Sequence, residues 1–150
     1  MRLNEAFIDT NLLVLLVVGA VDRRIIGTHR RTRTFTPEDY DWLLEILDDL
    51  GHVYVTPNTL TEASNLLKSS TDARFLKTLQ GLIAISQEVV VASATAAKNP
   101  RFTRLGLTDS VLLEVVSEDR PLLTVDLELY SAALEKGEEA AINFTRYQDF

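Results

Sequence analysis

Short apolar runs at residues 6–10, 52–56, 88–92 and 121–125 are separated by helical patterns. This alternation confines the chain to an α/β fold, with mainly parallel strands joined by helices that cover both faces of the sheet. A run at 140–144 adds a fifth strand, so the expected sheet has four to five strands. Helices are expected from residue 11 to 18, from Thr36-Pro37 to near Gly51, over 57–67 and 72–86, from Leu107-Thr108-Asp109 onward, and over 127–136. The signals are local. Thr36 caps, Pro37 takes the first helical position, Glu38 and Asp39 complement the dipole, and Gly137 ends the last helix. With 150 residues and 46% hydrophobic content, the expectation is one domain spanning 1–150 around a real core.

Composition removes several kinds of chemistry. There is no cysteine, hence no thiolate nucleophile, no disulfide and no cysteine-ligated metal, and a reducing cytoplasm is the expected location. His29 and His52 lack the spacing of a helical zinc pair. The apolar stretch 12–20 is about half the ~20 residues needed to cross a bilayer and follows an acid rather than a basic leader, so neither a membrane span nor a signal peptide is expected. A net charge of −7 argues against adhesion to a polyanion over the whole surface, so any nucleic-acid contact must be local. The six glycines form no G-x-S-x-G, G-x-x-x-x-G-K or G-x-G-x-x-G, which leaves serine hydrolases and the common nucleotide-binding loops without support.

Four acids remain conspicuous. Asp9, Glu62, Asp109 and Asp126 each fall where a strand gives way to a helix or where a helix begins. In a parallel α/β sheet those junctions gather at the carboxyl ends of the strands, the edge where such folds bind ligands. Each acid also has an ordinary explanation. Asp9 and Asp126 suit helix caps, Thr59 with Glu62 fits a capping box, and Asp109 complements a helix dipole. Together, four carboxylates on one edge suit a hard divalent cation, because magnesium and manganese take oxygen ligands.

The segments carrying these acids are Phe7-Ile8-Asp9-Thr10-Asn11, Thr61-Glu62-Ala63, Leu105-Gly106-Leu107-Thr108-Asp109-Ser110 and Leu123-Thr124-Val125-Asp126. In this order, over nearly the whole chain, they resemble the PIN-domain nucleases, many of which are the toxins of VapBC-type toxin-antitoxin pairs. The resemblance implies a compact α/β fold and a magnesium- or manganese-dependent ribonuclease, with Asp9, Glu62, Asp109 and Asp126 holding the metal directly or through water. It also implies an attacking water activated by that metal, supporting roles for Asn11 and Thr124, and an antitoxin protein as partner. A haloacid-dehalogenase-like phosphatase also begins with an Asp at the end of its first strand, but it needs a second Asp two residues on, where this chain has Asn11. A non-catalytic module on the PIN fold, binding RNA or a protein, is the main rival.

Two basic clusters and one apolar helix complete the expectations. Lys98, Arg101 and Arg104, with Phe102 among them, precede Asp109 and are placed to hold an RNA backbone or stack a base. Arg23, Arg24, Arg30, Arg31 and Arg33 are five of the fifteen basic residues and mark a basic loop that is long for the simplest PIN toxins. Leu12, Leu13, Leu15, Leu16, Val17 and Val18 offer apolar residues on more faces than one core contact needs, so a homodimer through this helix and the one beginning at Pro37 is expected.

Overall fold

In a computed structural model the chain is described over residues 3–145. Its order is β1 (Glu5–Ile8), α1 (Thr10–Val21), α2 (Pro37–Asp48), β2 (His52–Val55), α3 (Pro57–Leu67), α4 (Arg74–Ile85), β3 (Gln87–Glu88), α5 (Ser93–Ala96), α6 (Phe102–Val115), β4 (Leu122–Thr124), α7 (Leu127–Ala133) and β5 (Ala141–Asn143). The five strands form one sheet in the order β3-β2-β1-β4-β5, and every pairing is parallel. The α/β expectation holds, with all five strands in place.

Period-two alternation divides the sheet residues between two cores. Ile8, Val55 and Leu123 point to the face covered by α1, α2, α3 and α4, while Phe7 and Leu122 point to the face covered by α6 and α7. β1 lies in the middle of the sheet. It pairs with β2 on one side and β4 on the other, so the chain first adds strands on one side of β1 and then on the other, and the strand order reverses between β1 and β4. Such a switch point opens a crevice at the carboxyl ends of its two strands. Asp9 follows β1, and Thr124 ends β4.

α1 owes its uniformly apolar sequence to its position. From Leu12 to Gly19 every residue is buried, enclosed by the sheet, α2, α3 and α4. The apolar faces from which a dimer was expected are therefore covered within the chain itself, and the exposed positions of α1 are Asn11 and Ala20. The large exposed apolar residues lie elsewhere, at Leu76, Ile83 and Ile85 on α4, at Val90 after β3, at Leu127 on α7 and at Trp42. No helix among the described residues is long and apolar enough to cross a membrane.

Other departures from expectation have local causes. The third strand is Gln87–Glu88 rather than 88–92. Val89 still donates to Val55 O at 2.9 Å, but β2 ends there and the chain turns into α3 at Pro57, so residues 90–92 have no ladder to join. The last helix is α-helical only to Ala133 and tightens into a 3₁₀ turn, Leu134–Lys136, before Gly137 at φ 151. α6 begins earlier than expected, at Phe102, but Gly106 breaks it with φ 87, so the helical stretch carrying Asp109 does start at residue 107. The basic loop lies beyond the far end of α1. A 12-residue helix is about 18 Å long, so this segment is distant from Asp9. Arg23 is paired with Asp41 and Arg24 with Asp22, while Ile26 and Thr32 are buried beneath them.

The α1–α2 contact is set by a glycine. A Cβ on Gly19 would come within 2.2 Å of the Tyr40 ring, so only hydrogen fits. Gly19→Ala should destabilise the protein by about 1–3 kcal/mol in denaturant titration, despite the better helix propensity of alanine, because the ring has to move. Adding Tyr40→Leu should recover part of that loss. An unchanged denaturation midpoint in the single variant would show that the two helices are not in close contact.

Candidate functional site

The crevice at the switch point is built by hydroxyl groups that hold carboxylates. Asp9, 5% exposed, is the N-cap of α1, with Oδ1 accepting from Thr10 N at 2.7 Å. Its Oδ2 accepts from Thr124 Oγ1 at 2.6 Å, a bond between the ends of the two central strands. Thr124 Oγ1 in turn accepts from Asp126 N at 3.0 Å. Asp126 caps α7 through Oδ1, which accepts from Glu128 N and Leu129 N, both at 3.0 Å. The capping explanation is thus correct for Asp9 and Asp126, and it coexists with their placement side by side.

For Glu62 the capping explanation fails. Thr56, not Thr59, is the N-cap of α3, and its Oγ1 accepts from Thr59 N at 3.1 Å. Glu62 lies further along the helix, and its carboxylate turns toward the crevice. Thr108 Oγ1 donates to Oε1 at 2.7 Å and Thr10 Oγ1 to Oε2 at 3.4 Å, so α1, α3 and α6 meet on this one side chain. Thr10 and Thr108 were not singled out from the sequence. The available signal was their position immediately beside Asp9 and Asp109, which marks them as neighbours of the site but does not reveal their bonds to Glu62.

Asp109 lies in α6 just after the Gly106 break, partly buried. Burial pushes its carboxyl up to about 7, reinforced by the negative charges of Asp9, Asp126, Glu62 and Glu128. Asp9 is also raised, by burial first and by Asp126 and Glu62 as well, against the pull of its bonds from Thr124 and Thr10. These mutual repulsions place all four expected acids, with Glu128, in one electrostatic neighbourhood. Among the described residues none of the four is in an ion pair. Ser110, next to Asp109, is fully buried with a hydroxyl lacking a partner.

The donor chemistry is that of a hard divalent cation: carboxylate oxygens, several negative charges and, among the described residues, no base paired with them. The arrangement is not yet a coordination sphere. Among the described residues no three acidic or imidazole side chains converge closely enough to hold an ion, and the carboxylates of Asp9, Glu62 and Asp126 are each engaged by threonine hydroxyls or helix amides.

The remaining site expectations fall at the rim. Asn11 is exposed in the first turn of α1. Arg104 donates from Nε to Glu128 Oε1 at 2.6 Å, and Arg101 is paired with Glu135, so neither arginine is an uncommitted cation. Lys98 is exposed just after α5. Comparison of the chain with known protein families, with curated proteins and with solved structures found no match in any of the three.

The raised carboxyl of Asp109 gives a stability prediction whose sign follows from linkage. Between pH ~4 and ~7 the folded protein retains a proton that the unfolded chain has released, so stability falls as pH rises through that window and levels off above it. Asp109→Asn removes the titration while keeping the shape. In metal-free buffer the variant should lose less stability between pH 5 and pH 8 and exceed the wild type at pH 8 by on the order of 1–3 kcal/mol. Parallel stability curves for the two proteins would show that Asp109 carries no such burden.

Proposed function

We propose that this protein is a divalent-metal-dependent ribonuclease that cleaves RNA phosphodiester bonds by attack of water, in the manner of the PIN nucleases its motifs resemble. The supporting observation is that Asp9, Glu62, Asp109 and Asp126, drawn from four separate segments, share one electrostatic neighbourhood at the carboxyl edge of the sheet beside its topological switch point, and that among the described residues none of them is in an ion pair. A structural role alone gives no reason to put repelling acids together. The bonds from threonine hydroxyls to Asp9 and Glu62 bring ordering without neutralisation.

Magnesium or manganese at this site supplies neutralisation of the phosphate and an acidified water. Asp9, Asp109 and Asp126 would hold it, with Glu62 acting directly or through water. Thr124 keeps Asp9 oriented, and Thr10 and Thr108 keep Glu62 oriented. Asp109 loses its retained proton when the surrounding negative charge is compensated, which makes binding pH-dependent. Arg104 at the rim reaches a phosphate by exchanging its bond to Glu128 for one to the strand. This exchange is inexpensive, because an ion pair between exposed side chains is worth only about 0–1 kcal/mol.

A second reading is favoured by the lack of three converging ligands among the described residues: a PIN-like module that binds RNA or a protein without cutting. Metal response separates the two. Manganese at ~100 times its dissociation constant should stabilise a metal-binding protein by about 2.7 kcal/mol. Asp9→Asn and Asp109→Asn should each lose most of that stabilisation and reduce cleavage of single-stranded RNA by at least about a hundredfold, while remaining folded by circular dichroism. Folded variants that cut as well as the wild type would remove the active-site assignment. A wild type that neither responds to manganese nor cuts RNA would leave the binding module.

Arg104→Ala should weaken RNA binding and lower the slope of log affinity against log salt by about one phosphate contact. Metal affinity should stay constant. A slope equal to the wild type would show that Arg104 never leaves Glu128.

A further inference from the structure

A cavity of about 400 Å³ lies beside the rim arginines, between the turn at Asn99–Arg101 and the outer end of α7. Its floor is apolar, formed by Leu113 at 5% and Ala132 at 3% exposure. Its walls are polar: Asn99, Arg101, Glu135 and Lys136. The volume falls within the range of small-molecule sites, and an apolar floor with a few polar groups at the edge is their usual composition.

The polar groups are largely committed, and their commitments define what fits. Arg101 is paired with Glu135 through Oε1, which leaves Oε2 as an acceptor. Lys136 Nζ donates to the carbonyls of Leu113 at 2.7 Å and Glu114 at 3.1 Å, so its charge closes the end of α6. Asn99 Oδ1 accepts from Arg101 N at 2.9 Å. A phosphate would meet the Glu135 carboxylate and have to shed water over Leu113 and Ala132. A flat, neutral ring with an exocyclic amino group meets neither penalty, whereas the ring N–H on uracil's pairing edge lies between two carbonyl oxygens that the carboxylate would repel. The amino-bearing ring can lie on the apolar floor and donate to Glu135, as a carboxylate accepts from the amino group of cytosine.

The position is also suitable. Glu128 and Glu135 are seven residues apart, about 10 Å along the α7 direction, and they hold Arg104 and Arg101, themselves one helical turn apart. Glu128 is close enough to the acids to raise Asp109. A single strand with one phosphate at Arg104 therefore has a flanking nucleotide within reach of the cavity, and splayed single-stranded bases are read in this way, by stacking and edge contacts.

We propose that this cavity is a nucleobase subsite for the RNA strand flanking the scissile phosphate, with Glu135 and Arg101 reading the edge of the base. The inference rests on the ribonuclease reading and refines it. It assigns Arg101 to base recognition rather than to the phosphate grip expected from its place among the basic residues. Bases with an exocyclic amino group, adenine, cytosine and guanine, should be preferred over uracil at one flanking position.

The test uses the wild-type protein with manganese and a set of short single-stranded RNAs that differ at one position on either side of the cut. The expected result is a preference of about tenfold in kcat/KM for an amino-bearing base at one position. Glu135→Gln should reorder or erase it. Ala132→Leu, which fills the floor, should erase it with the melting temperature retained, and the exposed Glu135 variant keeps the test valid if the buried one fails to fold. Equal kcat/KM for all four bases, with cleavage intact, would overturn the subsite and leave the ribonuclease standing. Uniformly tighter binding of every sequence by Glu135→Gln, with a steeper salt dependence, would show that Arg101 is a phosphate clamp and also overturn it. Absence of cleavage and of RNA binding by the wild type would bring down both readings together.

Discussion

Negative charge buried at the end of the central strand is the constraint around which this protein is arranged. Asp9 is almost completely removed from water, and an isolated carboxylate in that position would cost several kcal/mol. The fold answers with hydrogen bonds rather than with a cation. Thr10 N and Thr124 Oγ1 satisfy the two oxygens, and the second bond ties the end of β1 to the end of β4 where the strand order reverses. The same hydroxyl then receives Asp126 N, so the cap of α7 is aligned by the residue that orients Asp9. Strand pairing, helix capping and placement of the acids therefore form one connected set of bonds.

The opposite edge of the sheet handles charge differently. Glu5 begins β1 and accepts from Arg120 Nε at 3.0 Å, while the Arg120 guanidinium lies 3.8 Å over the ring of Tyr54. There an acid, a base and an aromatic ring neutralise one another across β1, β2 and the approach to β4. At the carboxyl edge no such base is paired with the four acids among the described residues, and Arg104 at the rim is held by Glu128 instead. The same chain thus neutralises an acid at one end of β1 and leaves the acids repelling at the other. A fold selected for stability alone has no use for that difference, since burial, with the repulsion added to it, raises Asp109 and makes the folded state less favourable as pH rises.

Much of this was legible in the sequence because it depends on local patterns. Alternating apolar runs and helix signals gave the α/β class, and Thr36-Pro37-Glu38-Asp39 gave the start of α2 with its reciprocal cap. Asp9 and Asp126 were legible because they sit at strand–helix junctions, which parallel topology brings to one edge, whereas Glu62 lies in the second turn of α3 and Asp109 just after the Gly106 break in α6. What was not legible depends on partners distant in the chain. The Thr59–Glu62 spacing suggested a capping box, but Thr56 had already taken the cap, and only tertiary structure shows Thr10 and Thr108 reaching Glu62 across gaps of 52 and 46 residues. The uniformly apolar α1 suggested an interface because its sequence carries no sign of how many elements surround it. The rim arginines were read as free because Glu128 and Glu135 lie more than 20 residues beyond them.

Under the proposed ribonuclease reading, those two glutamates bear on how an acidic protein would handle a polyanion. With a net charge of −7, exposed arginines near the acids would attract carboxylates from the chain itself before any strand arrived, and α7 provides them in fixed positions. Pairing keeps each guanidinium at the rim and in a defined orientation instead of collapsing onto the acid cluster. The bonds are of the exposed kind that contributes little to stability, so a phosphate or a base edge offering comparable hydrogen bonds can replace one of them at little net cost. The Gly106 break contributes to the same geometry: it separates the turn carrying Arg104 from the helical stretch carrying Asp109, so that rim and acids face the crevice from one element running in two directions. Without that break a continuous helix would place residues 104 and 109 about 140° apart around its axis, and they could not serve the same crevice.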